Sequence, residues 1–312
     1  MKKTAFLFPG QGAQAVGMGH DFFQEFDFVR EIFDMASDIS KINLSKLCFN
    51  GPMEDLTLTV NLQPSITAVS LACLAAVEKE GVQPDVCAGH SLGEYSALCS
   101  ASIISKEDAL RLVFKRGEFM HRESTKVEGA MSAILGLTID AVQALVDEVQ
   151  KDRGVSVANH NTATQIVITG VPEQVQKVSS LAVSQGAKAI PLKVSGAWHS
   201  ELMKGAEKDF SDIVRTIDFK KPEKPVIHNV TADVEKDPKS IKEIMVKQLC
   251  SPVKWYDSIK RLVDEGVEVF AEIGPGAVLA GILKKNLSPD YPHKIYNIND
   301  LKAFENFLRN IA

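Results

Sequence analysis

The chain has 312 residues, of which 45% are hydrophobic and 24% are charged, so it can bury a sizeable core in one large domain or two smaller ones. With 35 basic and 40 acidic residues its formal charge is -5, which predicts no overall attraction to nucleic acid or to an anionic membrane. Its five cysteines include no CxxC pair, which argues against a disulfide framework or a zinc site and favours a reducing, cytoplasmic setting.

The first predicted element is a short buried strand at residues 4–8, followed by a glycine-rich turn. Residues 10–15, GQGAQA, fit the GxGxxA pattern of a dinucleotide-binding turn. That site needs a second strand ending in an acidic residue about 20 positions later, but residues 22–39 have the spacing of an amphipathic helix. We therefore predict no dinucleotide site. The apolar run before the turn is too short for a signal-peptide core, and no uninterrupted apolar segment approaches membrane-spanning length.

Helices and short apolar strands then alternate along the chain. Pro64 predicts the first turn of a second helix, and Gly81 lies past its end. Further strands are predicted at residues 85–88, 225–230, 267–273 and 295–297. Because each strand lies beside a helical segment, the sequence predicts βαβ units and a mostly parallel sheet.

The middle of the chain has a different order of elements. Strands are predicted at residues 130–137, 155–158, 165–169 and 187–194, with helices at 139–151 and 172–184. This βαββαβ order is ferredoxin-like. We predict an α/β protein in which a ferredoxin-like small domain, residues 128–196, is inserted between the two parts, 1–127 and 197–312, of a larger domain.

A candidate nucleophile follows the strand at residues 85–88. Residues 89–93, GHSLG, match GxSxG between a strand and a helical pattern, which is the setting of a nucleophile elbow. Ser91 then lies at a helix N-terminus, where the N–H of Leu92 can stabilise an oxyanion, and the turn at Gln11 can supply a second N–H. The alternative is a tight structural turn with an incidental serine.

The serine requires a base, and His199 is the best candidate among the seven histidines. It lies between the last strand of the small domain and a helix, facing the larger domain. The alternative is an interfacial histidine that only packs. His90 is expected to point to the opposite side of the turn, and no acidic residue is placed by spacing to orient His199.

At these positions the sequence resembles the malonyl-CoA:acyl-carrier-protein transacylases of fatty-acid and polyketide synthesis. The matching segments run from residue 8 to residue 285 and are FPGQGAQ, GHSLGEYSAL, KRGEFM, GAMSAILGL, SGAWHSELM, NVTA, QLCSPVKW and GPGAVLAGILKK. The resemblance implies a hydrolase-like α/β domain that holds a ferredoxin-like insert, in agreement with the order of the predicted elements.

The resemblance also implies roles for single residues. Ser91 matches the acylated nucleophile and His199 its base, while Gln11 and Leu92 match the residues whose backbone amides form the oxyanion hole. Gln248 matches a residue whose main-chain carbonyl orients the histidine, which would account for the missing triad acid.

Two further positions concern the acyl group. Arg116 matches the arginine that binds the free carboxylate of malonate. Its helical neighbours are apolar, so we expect Arg116 to be buried. The alternative role for a buried arginine is a structural ion pair. Arg111 on the same helix has charged neighbours, and we expect it to be exposed to solvent. Trp198 stands where malonyl-selective members usually have phenylalanine, and we expect it to limit branching of the acyl group.

The resemblance predicts an S-malonyltransferase that loads acyl carrier protein for fatty-acid synthesis. It implies malonyl-CoA as substrate, a phosphopantetheine thiol on the carrier protein as acceptor, no metal and no permanently bound cofactor. Lys188, Lys193, Lys204 and Lys208 are candidate members of a basic patch for the acidic carrier. Three alternatives remain, namely a trans-acting acyltransferase of a polyketide pathway, an acyl hydrolase of the same fold and a non-catalytic binding protein.

Overall fold

Two sheets organise the chain, which the computed structural model describes over residues 2–149 and 154–311. The strands are β1 Thr4–Phe8, β2 Val86–Gly89, β3 Ala130–Leu135, β4 Val155–Thr162, β5 Gln165–Gly170, β6 Lys188–Pro191, β7 Val226–Ile227, β8 Val269–Ile273 and β9 Lys294–Ile298. The helices are α1 His20–Glu25, α2 Asp27–Ser40, α3 Leu44–Asn50, α4 Met53–Thr57, α5 Thr59–Lys79, α6 Gly93–Ser100, α7 Lys106–Lys126, α8 Ile139–Val149, α9 Pro172–Ser184, α10 Lys204–Thr216, α11 Pro238–Lys247, α12 Trp255–Asp264, α13 Val278–Asn286 and α14 Leu301–Ile311.

The larger sheet has the strand order β7-β2-β1-β8-β9, and each neighbouring pair is parallel. Its central strand β1 is buried along its whole length. Phe6 and Phe8 face one apolar core, whereas Ala5 and Leu7 face a second core on the other side. Burial on both faces is typical of a parallel sheet covered by helices, so the predicted α/β class is confirmed.

The smaller sheet has the strand order β4-β5-β3-β6, and each neighbouring pair is antiparallel. Helices α8 and α9 pack on one face around their own apolar core, while Met131 and Ala133 on the other face join the core of the larger sheet. A main-chain hydrogen bond of 2.9 Å from His160 N to Val253 O links β4 to the larger part of the chain. The two sheets therefore share a boundary, and the domain limits near residues 128 and 196 stay a prediction.

The prediction of a single helix over residues 22–39 is wrong. The helix is interrupted at Phe26, whose backbone is extended, so that α1 and α2 are separate helices. The ring of Phe26 packs against Phe28 and Phe304, with centroid distances of 5.0 and 6.5 Å. Packing against the C-terminal helix α14 thus overrides the periodicity, which continues across the break. The predicted helix at residues 139–151 agrees with α8, and its last two residues lie outside the described residues.

The second helix also begins earlier than predicted. Pro64 lies inside α5, which starts at Thr59. The backbone of this first turn packs against α7, where a Cβ added to Gly117 would lie 3.0 Å from the carbonyl oxygen of Thr59. Tertiary packing therefore extends the helix by five residues and places Gln63 in its buried part.

Helix α5 is also the one described helix that is long and apolar enough to cross a membrane. Of its most apolar 18-residue window, 89% is buried inside the fold. Its apolar residues therefore form part of the core between α2, α6 and α7.

The turn between β2 and α6 brings three backbone segments into contact. A Cβ added to Gly89 would lie 2.1 Å from the carbonyl carbon of Gly93, and one added to Gly93 would lie 2.0 Å from the carbonyl oxygen of Phe8. Both glycines are therefore required by close backbone packing, as the GxSxG spacing predicts.

We predict that Gly93→Ala lowers the free energy of unfolding by about 3 kcal/mol, because the new methyl group must displace the backbone of β1. Gly281→Ala is the matched control, since Gly281 lies in α13 with no atom within 4 Å of an added Cβ. That change should raise the free energy of unfolding by about 0.5–1 kcal/mol. Urea denaturation measures both variants, and equal effects would contradict the close packing at Gly93.

Candidate active site

The strand-to-helix turn holds Ser91 in a strained backbone conformation. Its φ is 50°, a region that non-glycine residues rarely adopt. The side chain of Asn229 secures the turn from both sides, because its Oδ1 accepts from Ser91 N at 2.6 Å and its Nδ2 donates to Gly89 O at 2.6 Å. Ser91 remains half-buried at the tip of the turn, as a nucleophile elbow requires.

His199 lies directly against this serine. Its Nε2 is 2.8 Å from Ser91 Oγ, and its Nδ1 lies 2.9 Å from the carbonyl oxygen of Gln248 and 3.0 Å from that of Ser251. Because both carbonyls can only accept, the proton sits on Nδ1 and Nε2 is left to accept from the serine. In residues 2–149 and 154–311, no carboxylate oxygen of an Asp or Glu lies within 4.0 Å of the ring nitrogens. Main-chain carbonyls therefore orient the imidazole.

The surroundings of His199 keep it neutral. Burial, and after it the positive charge of Arg116, lower the pKa of His199 to about 3. The ring is 4% exposed. At neutral pH the imidazole is therefore free to accept a proton.

Arg116 is buried next to the serine and the histidine, with 1% of its surface exposed. Its Nη1 donates to Gln63 Oε1 at 3.0 Å, and its Nη2 donates to Gln248 Oε1 and to Ser91 Oγ, both at 3.2 Å. The ring of Tyr95 lies 5.8 Å from the guanidinium carbon. No Asp or Glu of the described ranges lies within 4.0 Å of the guanidinium. The structural ion pair considered as an alternative is therefore absent from that part of the chain.

The site also contains the backbone amides of Leu92 and Gln11. Neither the N–H of Leu92 nor that of Gln11 donates a hydrogen bond to any residue that the structure describes. The turn that contains Gln11 approaches the elbow closely, because a Cβ added to Gly10 would lie 3.6 Å from Leu92 N. Both residues line the same cavity as Ser91. Two free amides in this position can stabilise a developing oxyanion.

The cavity at Ser91 has a volume of about 100 Å³, which suits a short acyl group. Its lining residues come from the smaller sheet and from helices and loops around the larger one, and are Gln11, Gln63, His90, Ser91, Leu92, Arg116, Met120, Met131, Asn159, Leu192, Val194, Trp198 and His199. Trp198 is 4% exposed and forms part of the apolar wall. The cavity therefore combines an apolar wall with the buried guanidinium.

An open groove of about 520 Å³ adjoins this cavity and shares Gln11, Leu192 and Val194 with it. Lys193 lines the groove. Of the other lysines predicted for a basic patch, Lys204 forms an ion pair with Glu207 at 2.7 Å. The grouping of the four lysines stays a prediction.

The side chain of His90 packs, as the sequence predicted. The residue is among those that line the cavity at Ser91. Its Nε2 is 2.9 Å from Asn161 Oδ1, and its ring packs against Trp255 with a centroid distance of 5.3 Å. The side chain therefore packs against the core that contains Trp255.

Sequence reasoning also gave no role to three buried residues around the elbow. Gln63 holds Arg116, Asn229 holds the turn, and Glu94 accepts from Gln248 Nε2 at 2.6 Å. The available signals were the position of Glu94 directly after the GxSxG motif and of Asn229 in the NVTA segment. Gln63 had no such signal, because the predicted helix started after it.

The comparisons with known proteins agree with one another. The acyl transferase domain family matches residues 5–303. The malonyl CoA-acyl carrier protein transacylase of Bacillus subtilis is 47% identical over 287 residues, which cover 91% of this chain and 90% of that protein. The acyl carrier protein S-malonyltransferase of Vibrio cholerae superposes with a TM-score of 0.93 at 37% identity, covering 98% of this chain and 99% of its own. A malonyl-transacylase solved with its type II polyketide-synthase acyl-carrier protein gives a TM-score of 0.94 at 35% identity, covering 99% of both chains.

The lowered pKa of His199 predicts how Ser91 reacts as the pH changes. Phenylmethanesulfonyl fluoride should modify Ser91 at nearly the same rate between about pH 5 and pH 8, because a base with a pKa of about 3 stays neutral throughout. A histidine with the ordinary pKa would lose about 30-fold over that range. The rate of adduct formation by mass spectrometry measures this, with His199→Ala as the control, and a 30-fold fall would contradict the buried, neutral base.

Proposed function

Because the chain belongs to the acyl transferase domain family, we propose that it transfers the malonyl group of malonyl-CoA to the phosphopantetheine thiol of acyl carrier protein. The family resemblance predicted from the motifs is confirmed. The observation that carries the substrate class is the guanidinium of Arg116, which is buried beside Ser91 and meets only neutral oxygens in the described chain. A buried cation without a paired carboxylate can bind the free carboxylate of a substrate by charge-assisted hydrogen bonds.

The first half-reaction forms a malonyl-serine ester. His199 Nε2 accepts the proton of Ser91 as Oγ attacks the thioester carbonyl. The amides of Gln11 and Leu92 donate to the oxyanion of the tetrahedral intermediate. When the intermediate collapses, the carbon–sulfur bond breaks and the imidazolium returns its proton to the departing coenzyme A thiolate.

The second half-reaction reverses these steps with a different thiol. The phosphopantetheine thiol of the carrier protein gives its proton to His199 and attacks the ester carbonyl. The bond to Ser91 Oγ then breaks, and His199 returns the proton to the serine. The reaction needs no permanently bound cofactor, because the nucleophile, the base and the oxyanion donors all come from the chain.

The substrate carboxylate also changes the pKa of the base, His199. When malonate neutralises Arg116, the positive charge that lowers the pKa of His199 is balanced, so that pKa rises. A malonyl thioester therefore strengthens the base that activates Ser91, whereas an acetyl thioester does not. Trp198 and the volume of the cavity limit the acyl group to a short chain.

The proposed transfer also suggests a pathway and a cellular compartment. The malonyl thioester of the carrier protein supplies fatty-acid synthesis, and the alternative acceptor is a carrier protein of a polyketide pathway. We propose the cytoplasm for this soluble protein, because all five cysteines are free thiols.

The experiment that tests the function is intact-mass measurement after mixing with malonyl-CoA. We expect one malonyl adduct, and none on Ser91→Ala, because the ester forms on a single hydroxyl. The adduct should persist in water and disappear with holo acyl carrier protein, because only the carrier thiol is positioned for attack. Rapid loss without a thiol would favour an acyl hydrolase, and an adduct on Ser91→Ala would remove this residue from the mechanism.

Arg116→Ala should lower kcat/KM for malonyl-CoA by about 10²-fold, because the carboxylate loses a partner that donates two charge-assisted hydrogen bonds. Activity with acetyl-CoA should stay or rise, because acetate has no second carboxylate. Arg111→Ala is the control, since Arg111 on the same helix is exposed and paired with Glu107. Equal losses on both substrates at Arg116 would mean that it supports the fold and does not bind the substrate.

A further inference from the structure

Two buried residues of opposite charge lie on either side of one amide group. Arg116 is 1% exposed and Glu94 is 0% exposed. The side chain of Gln248 lies between them, because its Oε1 accepts from Arg116 Nη2 at 3.2 Å and its Nε2 donates to Glu94 Oε2 at 2.6 Å. The two charges are therefore linked through an amide and do not touch.

Glu94 has two further contacts, because it also accepts from Asn229 N at 3.3 Å and lies against His228. His228 Nδ1 is 2.7 Å from Glu94 Oε1, and His228 Nε2 is buried with no partner among the residues that the structure describes. Because a carboxylate can only accept, Nδ1 of His228 is the donor of this contact, which needs no charge on the ring. The carboxylate of Glu94 then remains free to balance the charge of Arg116.

Glu94 also fixes the direction of the amide. Because a carboxylate can only accept, the NH₂ group of Gln248 must face Glu94, and the same Nε2 donates to Ser91 O at 3.0 Å. The oxygen of the amide is thereby directed at Arg116. In the flipped amide, the NH₂ group would face the guanidinium and donor would meet donor.

We propose that Glu94 is a positioning residue that sets how strongly Arg116 holds the substrate carboxylate, an inference that rests on the proposed malonyl transfer. Acting through Gln248, its charge allows the guanidinium to stay buried in the empty site. Because the balancing carboxylate is one residue away, it does not occupy the N–H groups of Arg116, which donate only to neutral oxygens of the described chain. The same negative charge weakens the attraction between Arg116 and the malonyl group, so that the group can leave with the carrier thiol.

Glu94→Gln keeps the shape of the side chain and removes the charge. We expect the ratio of kcat/KM for malonyl-CoA to that for acetyl-CoA to rise by about 10-fold, the scale of one unit charge acting through a polar interior. We also expect the urea midpoint of unfolding to fall, because Arg116 is then buried without a balancing charge.

A second variant, Glu94→Gln with Gln248→Glu, moves the carboxylate into contact with Arg116. The direct ion pair should restore the urea midpoint towards that of the unmodified enzyme. It should lower the malonyl-to-acetyl ratio by about 10-fold or more, because a protein carboxylate now occupies the guanidinium. The single and double variants thus shift the ratio in opposite directions, which a purely structural glutamate would not produce.

Glu272→Gln is the matched control. Glu272 is also a buried carboxylate, 1% exposed, and it accepts from Leu279 N and Ala280 N at the start of α13, outside the cavity. This variant should lose stability without a change in the ratio.

An unchanged ratio in Glu94→Gln, or shifts of the same sign in both variants, would overturn the inference. If the single variant does not fold, a preserved malonyl preference in the double variant overturns it. The proposed function fails separately, if the unmodified enzyme forms no malonyl-Ser91.

Discussion

Arg116 keeps a full positive charge in the core without touching a carboxylate of the described chain, and the neighbouring residues are arranged around that charge. The neutral oxygens that hold it come from three separate elements, the first turns of α5, the elbow before α6 and the short 3₁₀ turn after α11. Each of these elements therefore has to reach its place before the guanidinium is satisfied. The site is a product of the tertiary fold, and no single motif contains it.

The parts of the site that the sequence could predict are the local ones. The elbow follows from GxSxG, because Gly89 packs on the backbone of Gly93 within the same turn, although Gly93 itself packs on Phe8 of the distant strand β1. His199 was the candidate base by its place in the chain, but its role and that of Arg116 were assigned from the family resemblance, because their contacts with Ser91 span 108 and 25 positions.

What the sequence could not predict depended on contacts between distant elements. The start of α5 was placed five residues late because Pro64 suits a first turn, whereas packing on Gly117 extends the helix. That displacement concealed Gln63 as a partner of Arg116. The break at Phe26 was missed for the same reason, since the rings that pack on it include one from the C-terminal helix.

The positive φ of Ser91 limits which nucleophiles this backbone can carry. At a φ of 50° a β-branched side chain crowds its own main chain. Threonine has the same hydroxyl group as serine and an equal capacity to form an ester, yet its extra methyl group makes it a poor fit here. Cysteine is unbranched at Cβ and fits the same torsion angles. The backbone geometry therefore disfavours threonine at this position whatever its reactivity. The substitution that the backbone allows is cysteine, whose acyl intermediate would be a thioester.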